Sequence, residues 1–159
     1  MGDSSVGKSN LLSRYVSDDF SKDSRTTIGV LFQSKFVKMA DGLVIRAQIW
    51  DTAGEERYKS VSKVYYRSAV GALLLYDITS RKSFENALDW LTRLKENAQE
   101  DVVILLVGNK KDLANQREVS MQEGADFAQK HSLAFLETSA LDTNNFELAF
   151  TTIINRKFF

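Results

Sequence analysis

The chain has 159 residues, enough for about one domain that buries roughly two thirds of its unfolded surface. Lys plus Arg and Asp plus Glu each number 21, so no net field recruits nucleic acid or an anionic membrane. There is no Cys, which excludes a disulfide framework, a thiolate metal site and a lipidated cysteine in this chain. No apolar run reaches the ~18 residues of a membrane-spanning helix and no secretory signal precedes the first motif, so the expected setting is cytoplasmic.

In chain order, Lys8 to Val16 (KSNLLSRYV) places Leu11, Leu12 and Tyr15 on one helical face. LFQSKFVKM and LVIRAQIW flank Ala40 to Gly42, which predicts a hairpin with a glycine turn. Val70 to Ile78 and Val102 to Lys110 are continuous apolar runs ending in polar residues, as suits strands buried on both faces of a parallel sheet. Between them SFENALDWLTRL sets Phe84, Leu88, Leu91 and Leu94 at helical spacing. Ser120 and Glu123 form a capping-box pair that opens a further helix. AFLETSA reads as a short last strand, and NNFELAFTTII as a final helix with Phe146, Phe150 and Ile153 in register. Strands alternating with helices give an α/β fold whose ligands bind outside the carboxyl ends of the strands.

Three motifs fall at those ends. GDSSVGKS, Gly2 to Ser9, fits G-x-x-x-x-G-K-[ST]. A loop with little bulk lets the amides of Asp3, Ser4, Ser5, Val6, Gly7, Lys8, Ser9 and Asn10 approach a phosphate. Lys8 supplies a point charge, Ser9 a hydroxyl for Mg²⁺, and the helix behind them its positive end. The plain alternative is a glycine loop that caps a helix. In WDTAG, Asp51 can hold Mg²⁺ through water and Gly54 lets a backbone N–H approach the γ-phosphate, although Asp before Gly at a strand end is also an ordinary turn. In GNKKD, Asp112 can accept two hydrogen bonds from an N1–H and 2-amino pair, which guanine has and adenine lacks. Asn109 can serve the other purine edge, and the Lys110 stem can lie along the base plane. Thr138 to Leu141 (TSAL) would offer the Ala140 N–H to O6, with Ser139, Leu141 and Leu113 alongside.

With these residues the chain resembles the Ras-like small GTPases over essentially its whole length, and within them the Rab family. GDSSVGKS, TTIG, WDTAG, GNKKD and ETSA are similar to the five guanine-nucleotide motifs; IGVLF, EERY, YYRSA and LLLYDIT are similar to Rab-distinguishing segments. GKSNLLSRY, GALLLYDIT and ETSALDTNN are most similar to the recycling-endosome Rab subgroup. The resemblance implies a P-loop NTPase three-layer sandwich, in the family a six-stranded, mixed, mostly parallel sheet with five helices. It implies GTP and GDP as ligands, Mg²⁺ as cofactor, and effectors, exchange factors and GTPase-activating proteins as partners in vesicle trafficking. Thr27 would ligate Mg²⁺ and sense the γ-phosphate, and Phe20 would pack against the base. Phe32, Trp50 and Tyr65 match an aromatic triad that meets effectors, unless they are ordinary core aromatics. His131, the single histidine, receives no role.

The family pattern has Gln where this chain has Glu55. That Gln orients the attacking water in GTP hydrolysis, accepting and donating at once. An ionised carboxylate only accepts, and it adds charge where negative charge develops. Two such charges ~5 Å apart at an effective dielectric of ~20 repel by ~3 kcal/mol before Lys8 and Mg²⁺ offset them. Glu55 could instead be protonated by that repulsion or act as a base, so the direction of the rate change stays open. Ser5 and Ser68 stand where Gly is common in the family, and Leu31 where an acidic residue is usual.

Relatives also begin with a central apolar strand that feeds the P-loop, whereas here Met1 stands where that strand would finish. Removing a central strand unpairs both neighbours, and total stability is only ~5–15 kcal/mol, so this chain alone is expected to fold poorly or bind nucleotide weakly. INRKFF stops short of the prenylated tail that would carry peripheral endomembrane attachment at a recycling-endosome or Golgi-type compartment. The leading expectation is a GTPase switch. The alternatives are a nucleotide-binding module with impaired hydrolysis, and another P-loop ATPase or kinase, against which GNKKD and TSAL speak. Single-turnover GTP hydrolysis should differ between this chain and Glu55→Gln, with the Gln form accelerated more by an activating protein; equal rates with and without activator would dismiss the Glu55 hypothesis.

Overall fold

A computed structural model describes residues 1–21, 27, 30–39, 41–52, 59–141 and 145–158. The order is α1 (Lys8–Ser17), β1 (Val30–Lys38), β2 (Val44–Thr52), α2 (Lys59–Ser68), β3 (Gly71–Asp77), α3 (Arg81–Glu85), α4 (Ala87–Asn97), β4 (Val103–Asn109), a 3-10 segment (Lys111–Gln116), α5 (Met121–Lys130), β5 (Ala134–Glu137) and α6 (Phe146–Phe158). Strands β3, β4 and β5 form a parallel sheet in that spatial order. This is the α/β class that the alternating pattern predicts, and its parallel strands are apolar on both faces because helices cover both.

The pleat explains the two cores. Leu74, Tyr76 and Leu106 point to one face, where Trp90, Leu91, Leu94, Val119 and Ala128 meet them. Leu75, Leu105 and Val107 point to the other face, against Leu11, Tyr15, Phe146 and Phe150. Tyr15 and Phe150 stack with ring centroids 3.9 Å apart and planes 6° from parallel, clamping α1 to α6. The helix predicted across residues 83–94 is two helices, because the chain bends at Asn86, which closes α3 and opens α4. That bend sets the buried face of α4 as Ala87, Trp90, Leu91 and Leu94 and leaves Leu88 exposed, so Leu88 is not the core residue its spacing suggested.

Strands β1 and β2 form a separate antiparallel hairpin whose register pairs Val30 with Thr52 and Lys38 with Val44. Gly42 closes it at φ +89°, a left-handed conformation that favours glycine. The expected single mixed sheet is therefore two sheets among the described residues, because β2 and β3 share no ladder. Both line a cavity of about 480 Å³ instead. Met1 reaches its edge, donating from its amino group to Leu73 O at 2.8 Å and accepting from Leu75 N at 2.8 Å. The bonds of Met1 to residues 73 and 75 are those of a parallel bridge opposite Leu74.

Helix α5 opens with the predicted capping box, Ser120 and Glu123 each bonding the other's backbone. Arg81 donates to Glu123, and that side-chain bond, with the backbone and hydroxyl of Ser120, holds the carboxyl down at about 2. Inside α5, Gly124 is needed for packing: a Cβ there would stand 2.5 Å from Phe135 Cζ and 2.6 Å from Tyr76 Oη. Gly124→Ala should therefore lower stability by ~1–3 kcal/mol through overpacking, outweighing the ~1 kcal/mol that alanine gains in helix propensity. Urea unfolding midpoints would show it, and a more stable variant would mean that α5 packs less closely.

Candidate functional site

The carboxyl ends of the parallel strands and the loop before α1 converge on one face. The loop is short of side chains and strongly turned. Ser5 has φ +65° and Gly7 φ +94°, both left-handed. The serine takes this conformation at some cost, which gives a physical reason for the glycine common at its position. Gly7 is required twice over, since a Cβ would also collide with Nδ2 of Asn109. As the N-cap of α1 it offers no side-chain bond, so the first amides of the helix remain open to an anion.

Lys8 folds back over this loop, its Nζ donating to Gly2 O at 2.9 Å and Asp3 O at 2.6 Å. Burial pushes its ammonium down to about 8, against the opposing pull of Asp51 and then Asp3. A phosphate's negative charge would offset that desolvation. Val6 is fully in the core, while Ser4 and Ser5 line an open cleft of about 830 Å³ together with Lys110, Asn86 and Trp90. Asp3 is held away from the loop's concave side: its carboxylate accepts from Asn86 Nδ2 and from Trp90 Nε1, both at 2.7 Å.

The three residues expected to hold a metal meet. Ser9 Oγ donates to Asp51 Oδ2 at 2.5 Å and lies 2.7 Å from Thr27 Oγ1, so α1, β2 and the segment before β1 touch at one point. Two hydroxyls and a carboxylate are hard oxygen donors, a set that fits Mg²⁺ and leaves positions for phosphate and water. Asn10 is occupied elsewhere, donating to Ser21 O at 3.0 Å, and Phe20 is partly buried against the α1–α6 core. Gly54 and Glu55 lie outside the described residues.

At the far end of the face, Asp112 accepts from Ser139 Oγ at 2.5 Å. Ser139 Oγ also caps Leu141 N at 3.1 Å, and Arg14 Nε from α1 secures Ala140 O at 3.0 Å. Lys110 stands at φ +65° and its Nζ pairs with Asp77 Oδ2 at 2.6 Å. Leu113 is the kinked centre of the 3-10 segment that follows. Asn109 differs from the expectation of a base contact in that both ends of its side chain are spent inside the protein. Nδ2 donates to Val6 O at 2.9 Å and Oδ1 accepts from Thr138 Oγ1 at 3.1 Å, with the residue 1 % exposed. It joins the P-loop, β4 and the loop after β5.

Sequence reasoning had no signal for several supports of this face. The Asp3–Trp90, Arg14–Ala140 and Lys110–Asp77 contacts join residues far apart in the chain. So does Arg117 to the buried Glu137, at 2.6 and 2.8 Å. The aromatic residues Phe32, Trp50 and Tyr65 come together as one row of tilted rings, with centroids 4.7 and 4.5 Å apart. Phe32 and Trp50, cross-strand partners in the hairpin, are each 44 % exposed and so are not core.

Comparison with known proteins agrees with this geometry. The Ras family model matches residues 1–158. The chain is 55 % identical over 154 residues to the Ras-related protein RGP2 of Oryza sativa subsp. japonica, covering 97 % of this chain and 70 % of that protein. It is 50 % identical over 156 residues to the Ras-related protein Rab-11A of Dictyostelium discoideum, covering 98 % and 72 %. The Ras-related protein RABA2b of Arabidopsis thaliana is 50 % identical over 155 residues, at 98 % and 72 %.

The role of Asn109 is separable from ligand contact. Asn109→Ala should destabilise the nucleotide-free protein by ~2–4 kcal/mol, because Val6 O and the Thr138 hydroxyl are both left buried and unpaired at ~1–3 kcal/mol each. Thermal unfolding without nucleotide reads this directly. An unchanged melting temperature with reduced affinity would instead make Asn109 a ligand group.

Proposed function

Because the chain belongs to the Ras family, among its Rab-type small GTPases that regulate vesicle trafficking, we propose the following division of labour for its guanine-nucleotide site. The amides from Ser4 to Lys8 wrap the phosphates, and Lys8 exchanges its two carbonyl acceptors for phosphate oxygens. Asp112 accepts from the N1–H and 2-amino groups of guanine, and the Ala140 amide faces O6. Ser139, by donating to Asp112, aims that carboxylate; Lys110 covers the base plane while its charge rests on Asp77. Phe20 closes the base from the side.

Ser9, Thr27 and Asp51 would hold Mg²⁺, which supplies charge neutralisation and orientation to the β- and γ-phosphates when bound. The observation that carries this reading is the convergence of those three oxygens from three separate elements. Nothing in the packing of the fold requires a serine, a threonine and an aspartate to meet. Hydrolysis of GTP to GDP and phosphate would remove the γ-phosphate that Thr27 is assigned to sense. Gly54 and Glu55 are assigned to the γ-phosphate and the attacking water on the sequence pattern alone.

The row of Phe32, Trp50 and Tyr65 is the surface we assign to effectors. Its rings are in tilted contact, Phe32 and Trp50 are exposed on the hairpin, and Tyr65 joins them from α2. A recycling-endosome or Golgi-type membrane is the compartment this reading favours, reached through a prenylated tail; among the described residues no helix is long and apolar enough to cross a membrane.

Competition of GTP and ATP against a fluorescent GDP analogue tests the assignment. Two hydrogen bonds to a charged carboxylate contribute ~1.5–3 kcal/mol each, so guanosine should be preferred by ~10²–10⁴-fold. Asp112→Ala should abolish most of that preference. Equal binding of ATP and GTP by the unaltered protein would overturn the reading.

A further inference from the structure

Asp112 stands on a stretch of chain with no core beneath it. No residue of the 3-10 segment Lys111–Gln116 is buried, and Leu113 leaves helical geometry at φ −94°, ψ 33°. Apolar packing therefore does not set where this segment lies, and its polar ties to neighbouring elements must do so.

Three successive residues at the end of β5 supply such ties. Ser139 Oγ donates to Asp112 Oδ1 at 2.5 Å, and Thr138 O accepts from Lys111 N at 3.0 Å. Glu137 accepts from both arms of Arg117, at 2.6 and 2.8 Å, immediately after the segment's last residue. Thr138 N in turn donates to Gly108 O at 2.8 Å, which seats the end of β5 on β4. Beyond Arg117 the chain crosses to the other side of β4, where the amides of Glu118 and Val119 share Ile78 O after β3. Arg117 is thus where the chain that carries Asp112 is tied to β5 before it leaves for β3.

The Arg117–Glu137 pair is poorly suited to adding stability. Glu137 is 4 % exposed, and an ion pair so placed is on balance no more stabilising than apolar side chains of the same volume. What it supplies is geometry. A planar guanidinium donates two parallel bonds to one carboxylate only in one plane and at one separation. One of its arms also donates to Val119 O at 2.9 Å, which steadies the guanidinium from the α5 side.

We propose that Arg117, through Glu137, is a positioning residue for guanine recognition. It fixes the segment that carries Asp112 against the end of β5, so that the carboxylate meets the N1–H and the 2-amino group together. The proposal rests on the assignment of Asp112 to the guanine base, and adds to it a specificity-determining residue that acts through the protein rather than on the ligand. A carboxylate that accepts two parallel bonds tolerates little tilt, because hydrogen bonds weaken steeply away from linearity. On a segment free to shift, it keeps its attraction to N1–H and loses the second bond. The 2-amino group is therefore the part of the ligand that senses Arg117.

The quantity to measure is the ratio of affinities for GDP and for inosine 5'-diphosphate, which lacks only the 2-amino group. Each is competed against a fluorescent GDP analogue on the full chain. Both carry the same phosphates, so changes at Lys8 or at the cation site cancel in the ratio. The unaltered protein should prefer GDP by about 10–10²-fold, the worth of one hydrogen bond to a charged carboxylate. Arg117→Met combined with Glu137→Met removes both charges at similar volume and leaves neither unpaired. This double variant should unfold within a few degrees of the unaltered protein, yet prefer GDP by less than about threefold. Arg117→Lys, which keeps the charge but loses the fork, should give an intermediate ratio.

A preference kept in full by the double variant would overturn the proposal and make the pair structural. A double variant that fails to fold leaves the decision to Arg117→Lys: the full preference there would overturn the proposal, and a reduced one supports it. Equal affinities of the unaltered protein for the two nucleotides would remove the base assignment itself, and the proposal with it.

Discussion

Asn109 is the point on which the functional face depends. A buried amide has a donor end and an acceptor end to satisfy, and here each end finds its partner on a different loop, Nδ2 donating to Val6 O and Oδ1 accepting from Thr138 Oγ1. Gly7 must lack a side chain for the amide to reach across. The phosphate loop, the end of β4 and the loop after β5 are thus tied to one another by bonds that involve no ligand. Fixed spacing between a phosphate cradle and a base-reading carboxylate is what lets one nucleotide satisfy both ends. The same arrangement repeats around Asn109. Lys110 is anchored on Asp77, Asp112 on Ser139, and Glu137 on Arg117, so no charged side chain in this group depends on the ligand alone for its position.

These polar groups lie at the strand ends because the strands themselves leave no room for them. Residues 73–76 and 104–107 alternate strictly between two helix-covered faces and are buried throughout except at Leu73. Asp77 and, after Gly108, Asn109 are the first whose side chains find polar partners in the loops. A parallel sheet therefore concentrates chemistry at one edge by exclusion, and the helix start at Lys8 adds its open amides to that edge.

What was legible in the sequence follows the same physics. The apolar runs of β3 and β4 are long and doubly buried, so their boundaries are sharp, and the capping box at Ser120 is local. Gly2 to Ser9 is legible because phosphate binding demands small residues at fixed spacing, which leaves a pattern in one short segment. Three things were not legible. Helical spacing across residues 83–94 hid the bend at Asn86, since the two short helices differ in phase by too little to show in the pattern. Leu88 was misassigned for that reason. The clamps on the site, Asp3 with Trp90 and Arg14 with Ala140, span more than 80 residues and leave no local trace. Asn109 showed its presence in the motif but not its direction, because an amide at a strand end suits a purine edge and a carbonyl equally well.

The hairpin shows how the chemistry at Ser9 reaches a surface. In the proposed reading, Thr27 and Asp51 are bound to one another through Ser9 when no cation separates them. Thr27 and Asp51, which with Ser9 would hold a cation, stand on two different chain segments. One leads directly into β1 and the other is the end of β2, and the register sets Leu31 opposite Asp51 and Phe32 opposite Trp50. Between the site and the aromatic row there is thus a single step of the ladder. The hairpin is a unit of its own in the sheet pairing, because among the described residues it shares no ladder with β3.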